Sequence, residues 1–563
     1  FALNFFVSET IEIGNYYSFG ISSIYMSNNY QFFEEESQKY EQILLEFSNN
    51  PNAEPFVDEN FHPFKKIDEK KIGDDLSDSY KWERIDKIYP APLFKKELIH
   101  PYFIEQGAIG DCYLITSLSR IAKQPYLVQT LFEKKKPDTI LGEIQDSINL
   151  KCGAVVIYFF AFGRKTPVLI DTRIPVSYGD CIFSHPNINS NSAWFCLVEK
   201  AYAKLKGSYS NIVGGQLSYP IYSLFGYYQK SFLFDQKANL TDKILKYQDR
   251  GYIMEAGISE FNSSFTINNV PIAEVEKLGL ITQHSYLLMR VRKVENAHFY
   301  QLRNPHGEGG KVWNGAYSAH SPLLTNELKR ALKYRPQKGS FWMIEKDFFK
   351  YFTDIEVSKP ISKLWTVRLC HRTMLPGVVG TGDAEFLHLE EKPNFAFQII
   401  DPKFDSTKKV KFHVLIEKVQ LKDPNFDSSK KVEFQRMIEK VQGTSEKAEK
   451  DSTTMITFCH ANGKKLSAET LKTGYKSYRT RRPIYTFSCP INSKNDIVTF
   501  VLYNILTTEI TEKVYIQVFC EYNFKLFDID DPTTLFPKTQ NMGPAFENYT
   551  LTSYEAAMLL KKK

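Results

Sequence analysis

The sequence is sparing with cysteine: eight among 563 residues, at positions 112, 152, 181, 196, 370, 459, 489 and 520. That is too sparse for the stapled frame of a small secreted domain, and a reducing compartment suits them better. No uninterrupted apolar stretch approaches the roughly 20 residues that a helical bilayer crossing needs, so a membrane-spanning role is not expected. Charge of one sign is lacking too. The 71 basic and 65 acidic residues are mixed along the chain, so no large field is implied and nucleic acid is not indicated as a partner. There is no twelve-residue calcium loop of the D-x-[DN]-x-[DN]-G type, and Asp528, Asp530 and Asp531 read as an acidic turn before Pro532. The chain starts at Phe1 rather than a methionine, which leaves room for an upstream segment.

What is present suffices for several cores. Hydrophobic residues make up 43% and charged residues 24%, the balance of a folded globular protein, and the length implies about two to four domains. Residues 1–80 are aromatic and polar and read as a weakly structured extension, with one amphipathic helix expected near 32–47. From about 91 to 357 helix and strand patterns alternate, the mark of an α+β body. Beyond Pro360 the chain turns to short β-rich runs such as 395–400, 497–503 and 514–519, separated by polar turns, which reads as a β-sandwich. An internal duplication lies within it: DPKFDSTKKVKFHVLIEKVQ at 401–420 recurs as DPNFDSSKKVEFQRMIEKVQ at 423–442. Two copies do not make a solenoid, so they read as a duplicated strand and loop.

The chemistry concentrates in two places. Gln106-Gly-Ala-Ile-Gly-Asp-Cys112-Tyr113 is a glycine-flanked turn running into an apolar helix (Leu114, Ile115, Leu118, Ile121), which sets Cys112 in the first helical turn. A thiol is a useful nucleophile as thiolate, and a helix N-terminus with a nearby imidazolium favours that form. Gln106, six residues upstream across two glycines, is placed to form an oxyanion hole with the Cys112 backbone N–H. The second place is a hairpin. His284 opens one alternating strand and 299–303 forms the next, ending at Asn304-Pro305. A turn centred near Val294 would set 284 and 304 opposite each other, and a neutral amide there fixes the imidazole tautomer, leaving its other nitrogen for the thiol.

QGAIGDCY resembles the active-site signature of the calpain family, Gln-Gly-x-x-Gly-Asp-Cys followed by an aromatic residue. GLITQHSYLLMRV and YQLRNPHGEGGKVWNGAYS resemble that family's histidine and asparagine motifs. WFCLVEKAYAKLKGSY at 194–209 and GSFWMIEKDFFKYFTDIEV at 339–357 are similar to further family stretches. The resemblance implies an α+β fold: a papain-like two-lobed calpain protease core followed by a calpain-type β-sandwich. It divides the chain into the extension 1–80, a first half 81–207 with Cys112, a second half 208–357 with His284 and Asn304, a sandwich 362–527 carrying the duplication 401–442, and a tail 528–563. It implies an intracellular cysteine endopeptidase acting on protein substrates, cytoplasmic or at the membrane periphery. Acidic phospholipid is a further implied partner, with Lys472, Lys476, Arg479, Arg481 and Arg482 as the candidate patch.

Where the family carries acidic calcium ligands, this sequence has Phe103, Ser192, Val312, Ala319, Lys338 and Ser340. None is a carboxylate, so calcium is not expected in the core. Tyr113 replaces the usual tryptophan, Gln283 replaces the glycine before the histidine, and His306 replaces the tryptophan that shields the His–Asn hydrogen bond. The last two leave a second reading open, a calpain-fold scaffolding or regulatory protein with impaired catalysis. A transglutaminase would need an acid where Asn304 stands.

Overall fold

The computed structural model describes residues 30–59, 61, 80–90, 99–132, 150–161, 164–187, 190, 192–215, 219–234, 240–259, 266–307, 311–359, 366–374, 394–405, 407, 410–420, 454–459, 475–480, 484–489, 497–504, 512–520 and 522–529. Helices and antiparallel sheets alternate through 80–359, and among the described residues the regular elements beyond 359 are all strands, an α+β arrangement.

Two apolar cores organise the α+β part. The first gathers the helix Cys112–Ile121, the helix Trp194–Lys206 and the hairpin Ala154–Ala161/Arg164–Asp171. In the Cys112 helix the apolar positions 114, 115, 118 and 121 fall on one face at helical spacing, and every residue after Cys112 is buried. The Trp194 helix stops at Gly207, whose φ of 97° is the left-handed value that ends helices. The core nevertheless runs on past 207, through Tyr209, Ile212, Ile221, Leu224 and Phe225. The second core lies on a six-stranded antiparallel sheet, in the order Ser340–Ile344, Ala297–Arg303, His284–Val294, Ile253–Ile258, Asp354–Lys359 and Tyr228–Leu233.

The amphipathic helix expected near 32–47 spans Tyr30–Asn49, and its packing goes beyond what the sequence suggested. Tyr40, Ile43, Leu44 and Phe47 lie on Ala154, Val156, Tyr158 and Leu169 of the first-core hairpin. Glu36 is buried and receives the Leu169 backbone N–H at 2.7 Å and the Lys204 ammonium at 2.6 Å. Lys204 also pairs with buried Asp58 at 2.8 Å. The lysines of the Trp194 helix are thus interior cations: Lys200 meets Asp171 at 2.7 Å with both side chains buried.

Beyond 365 lie two antiparallel sheets. One orders Thr366–Met374, Glu512–Cys520, Val410–Gln420 and Ile484–Cys489; the other orders Tyr475–Thr480, Thr454–Cys459, Ile497–Asn504, Asn394–Ile399 and Phe524–Asp528. The first copy of the duplicated stretch supplies Val410–Gln420, an interior strand paired on both sides; the second copy lies outside the described residues. Of the basic candidates, Lys476 and Arg479 are on Tyr475–Thr480, and Lys472, Arg481 and Arg482 lie outside the described residues. Among the described residues no helix is long and apolar enough to cross a membrane.

Candidate active site

Cys112 is the first residue of its helix, with Asp111 at the N-cap position. The approach is tight. A Cβ on Gly107 would come within 2.1 Å of the Phe183 carbonyl oxygen, so only glycine fits where the chain turns toward the helix. Cys112 keeps partial exposure between the lobes while protein surrounds its thiol. Burial pushes the thiol up to about 11, against the pull of backbone amides of Ser285, Tyr113 and Cys112 itself, and the Asp111 carboxyl adds to the rise. The Ser285 contact sets the sulfur beside the residue that follows His284.

His284 begins the strand His284–Val294 and is buried. Its Nε2 lies 2.9 Å from Asn304 Oδ1. The amide orientation is fixed by two neighbours: Oδ1 accepts the His306 backbone N–H at 3.1 Å, and Nδ2 donates to the Lys311 carbonyl at 2.9 Å. Oδ1 is therefore the acceptor toward the ring, Nε2 carries the proton, and Nδ1 is left with a lone pair. Burial lowers the His284 pKa to about 4; the Asn304 hydrogen bond opposes this and His306 reinforces it. Spacing had placed the hairpin turn near Val294. It falls instead at 295–296, beyond the pair Val294/Ala297, and a bulge between Leu288 and Arg290 shifts the register, so the contact of 284 with 304 is made past the last paired residues, Leu287 and Arg303.

Gln106 is buried, and its side-chain Nε2 donates to the Ile109 carbonyl at 2.8 Å. That bond holds the side chain in the turn that leads to Cys112. The Gln106 backbone N–H donates to Pro305 O at 3.0 Å, one of several bonds that join the two lobes. Buried Arg303 donates to Ile104 O at 2.7 Å, Ser117 to Glu255 at 2.6 Å and Lys123 to Met289 O at 2.6 Å. The residues that carry sequence motifs, Gln106 and Cys112 on one lobe and His284 and Asn304 on the other, are thereby brought to one interface.

The pattern of the family described as Calpain family cysteine protease matches residues 56–359, more than half of the chain. The chain belongs to the calpain family. The calpain of Schistosoma mansoni is 31% identical over 308 residues, covering 51% of this chain and 38% of that protein. Calpain-5 of Mus musculus is 28% identical over 307 residues, covering 49% and 45%, and the calpain-1 catalytic subunit of Homo sapiens 27% over 354 residues, covering 60% and 47%. The chain spans less than half the length of these curated relatives.

Three departures from the calpain motifs have structural counterparts. Gln283, in the place of the family's glycine, adopts φ 52°, the left-handed region that glycine enters without strain. His306, in the place of the tryptophan, stacks on the His284 ring with centroids 4.9 Å apart and planes 12° from parallel, so a flat ring still covers the His–Asn pair. Tyr113 uses its extra hydroxyl, which donates to Ile212 O at 3.1 Å. Two participants had no signal in the sequence: Ser285, whose backbone meets the thiol, and Arg303, whose partner is 199 positions away.

Proposed function

We propose that this calpain-family chain is a cysteine endopeptidase making limited cuts in proteins through an acyl-enzyme. The observation that carries the reading is the His284–Asn304 hydrogen bond at 2.9 Å, with the amide oriented so that Nδ1 is the free base, while the backbone of Ser285, the next residue, meets the thiol at the helix N-terminus. Cys112 Sγ attacks the scissile carbonyl carbon as its proton passes to His284 Nδ1. The carbonyl oxygen takes up negative charge, met by the Cys112 backbone N–H and the Gln106 side-chain amide. His284 then returns the proton to the leaving amine, and a thioester remains. Water, deprotonated by His284, hydrolyses it. Burial raises the thiol and lowers the imidazole, and both directions favour the neutral forms before substrate binds.

Calcium in the core is not part of this mechanism. The residues at the family's ligand positions, Phe103, Ser192, Val312, Ala319, Lys338 and Ser340, offer two hydroxyls and an ammonium where about six to eight oxygen ligands with carboxylates among them are needed; they do not fit the ion. The two halves are joined by the hydrogen bonds of Gln106, Arg303 and Ser117. The two sheets beyond 365 are read as the calpain-type sandwich, and acidic phospholipid at the basic patch is carried as part of the same reading. Incubation of the full chain with an unfolded protein substrate tests the proposal. Cleavage that disappears in both Cys112→Ala and His284→Ala is expected; cleavage that persists in Cys112→Ala contradicts it.

A further inference from the structure

Asp111 is fully buried and stands at the N-cap position of the Cys112 helix, yet its side chain makes no capping bond. Neither of its oxygens receives an N–H or hydroxyl donor. The group it faces within hydrogen-bonding range is another buried carboxyl, Glu199 of the Trp194 helix. Glu199 is well supplied as an acceptor: the Ser184 backbone N–H lies 3.1 and 3.2 Å from its two oxygens, and the Ser184 hydroxyl donates at 2.8 Å. Two carboxylates cannot both ionise at such range without a cation, so the pair keeps at least one proton; burial raises both carboxyls, that of Glu199 to about 7. The Ser184 donors stabilise charge on Glu199, which leaves the proton on Asp111.

The other titratable groups around the pair are Cys112, Tyr113 and Tyr202 on the Asp111 side, and Cys196 and Tyr209 around Glu199, with Cys181 beyond them. All are acids whose neutral form is the protonated one, and none supplies a compensating positive charge. The turn of the Asp111 side chain away from its helix has a second effect. An aspartate cap would accept the N–H of the second or third helical residue. Here the Asp111 side chain leaves the Tyr113 N–H uncapped, and the backbone amides of Tyr113 and Cys112 oppose the burial-driven rise of the thiol.

We propose that Asp111 is a positioning residue that acts as a protonated acid: it donates to Glu199, presents a neutral neighbour to the Cys112 thiol, and leaves the first-turn N–H groups uncapped. The inference rests on Cys112 being the nucleophile. Ionised at 111, the carboxylate would oppose thiolate formation in the adjacent residue; protonated, it does not.

The test is the pH profile of Cys112 alkylation by iodoacetamide in the full chain. Asp111→Asn keeps a donor toward Glu199 and no charge, so its midpoint and limiting rate should match wild type. Asp111→Ala loses the clamp, and its limiting rate should fall by about tenfold or more, as expected when a nucleophile is displaced from its geometry. A midpoint that drops by about one pH unit in Asp111→Asn would mean that a negative charge had been removed, and would overturn the proposal. So would an Asn variant as slow as the Ala variant. Should Asp111→Asn fail to fold, the infrared spectrum of wild-type protein carrying 13C only in aspartate carboxyls decides: a protonated-acid carbonyl band at pH 7 is expected, and its absence refutes the assignment. That band does not depend on peptide cleavage, so a chain that shows it but cleaves nothing loses the protease reading alone.

Discussion

Replacing Gln283 by glycine should stabilise the protein without harming the site. Gln283 holds φ 52° immediately before His284, and a left-handed conformation costs a residue with a Cβ about 1–2 kcal/mol. Glycine removes that strain but gives back about 0.5–1 kcal/mol through the greater freedom of the unfolded chain. The net gain is then about 0.5–1 kcal/mol. The Gln283 side chain is exposed, so truncating it forfeits little buried surface. With an unfolding entropy of about 2 cal/mol/K per residue over a core of roughly 300 residues, the melting temperature should rise by about 1–2 °C. Gln283→Val should fall on the other side, since a β-branched residue is a true outlier at positive φ. Thermal unfolding of the three proteins at one pH measures the series. The reasoning fails if glycine melts below wild type, or if valine melts above it.

Removing the orienting amide with Asn304→Ala should lower kcat by about a hundredfold with little change in KM, because the imidazole loses its fixed tautomer; steady-state kinetics on a peptide substrate measure it. Lys204→Met should destabilise the chain by about 3–5 kcal/mol at pH 7.5, since it strands the buried Glu36 and Asp58 carboxyls. Burial raises the Glu36 pKa to about 7, so that loss should shrink at pH 5, where Glu36 protonates, and urea titrations at the two values compare them. Glu255 is also raised by burial, from 4.5 to about 8. A raised folded pKa means that the fold favours the protonated form, so its contribution is fully present below 4.5 and is lost as pH climbs toward 8. Glu255→Gln, which mimics the neutral acid beside Ser117, should be more stable than wild type by about 2–4 kcal/mol at pH 8 and equal to it at pH 4, by denaturant unfolding at both.

How much of this was legible in the sequence depended on the reach of each interaction. The Cys112 helix could be read because apolar spacing and glycines are local signals, and the strands Asn394–Ile399, Ile497–Asn504 and Glu512–Cys520 follow the runs that alternation marks. The hairpin joining His284 to Asn304 was legible in outline only. The bulge between Leu288 and Arg290 leaves no trace in residue type, and the turn lies later than spacing implied. Long-range pairing was out of view. Lys200 and Lys204 look like the solvated face of a helix, and become interior only because Asp171, Glu36 and Asp58 arrive from elsewhere in the chain. The helix Tyr30–Asn49 was readable as amphipathic, but its docking depends on those same ion pairs. Gln283 could be seen to stand for a glycine; the conformation it must adopt could not.

The most direct measurement is covalent labelling of the purified chain by an epoxide or vinyl-sulfone probe for cysteine proteases, with and without a calcium chelator, and with Cys112→Ala as control. The account predicts modification at Cys112 that is equal under both conditions and absent from the control. Labelling that requires calcium, or none at Cys112 under either condition, would contradict it.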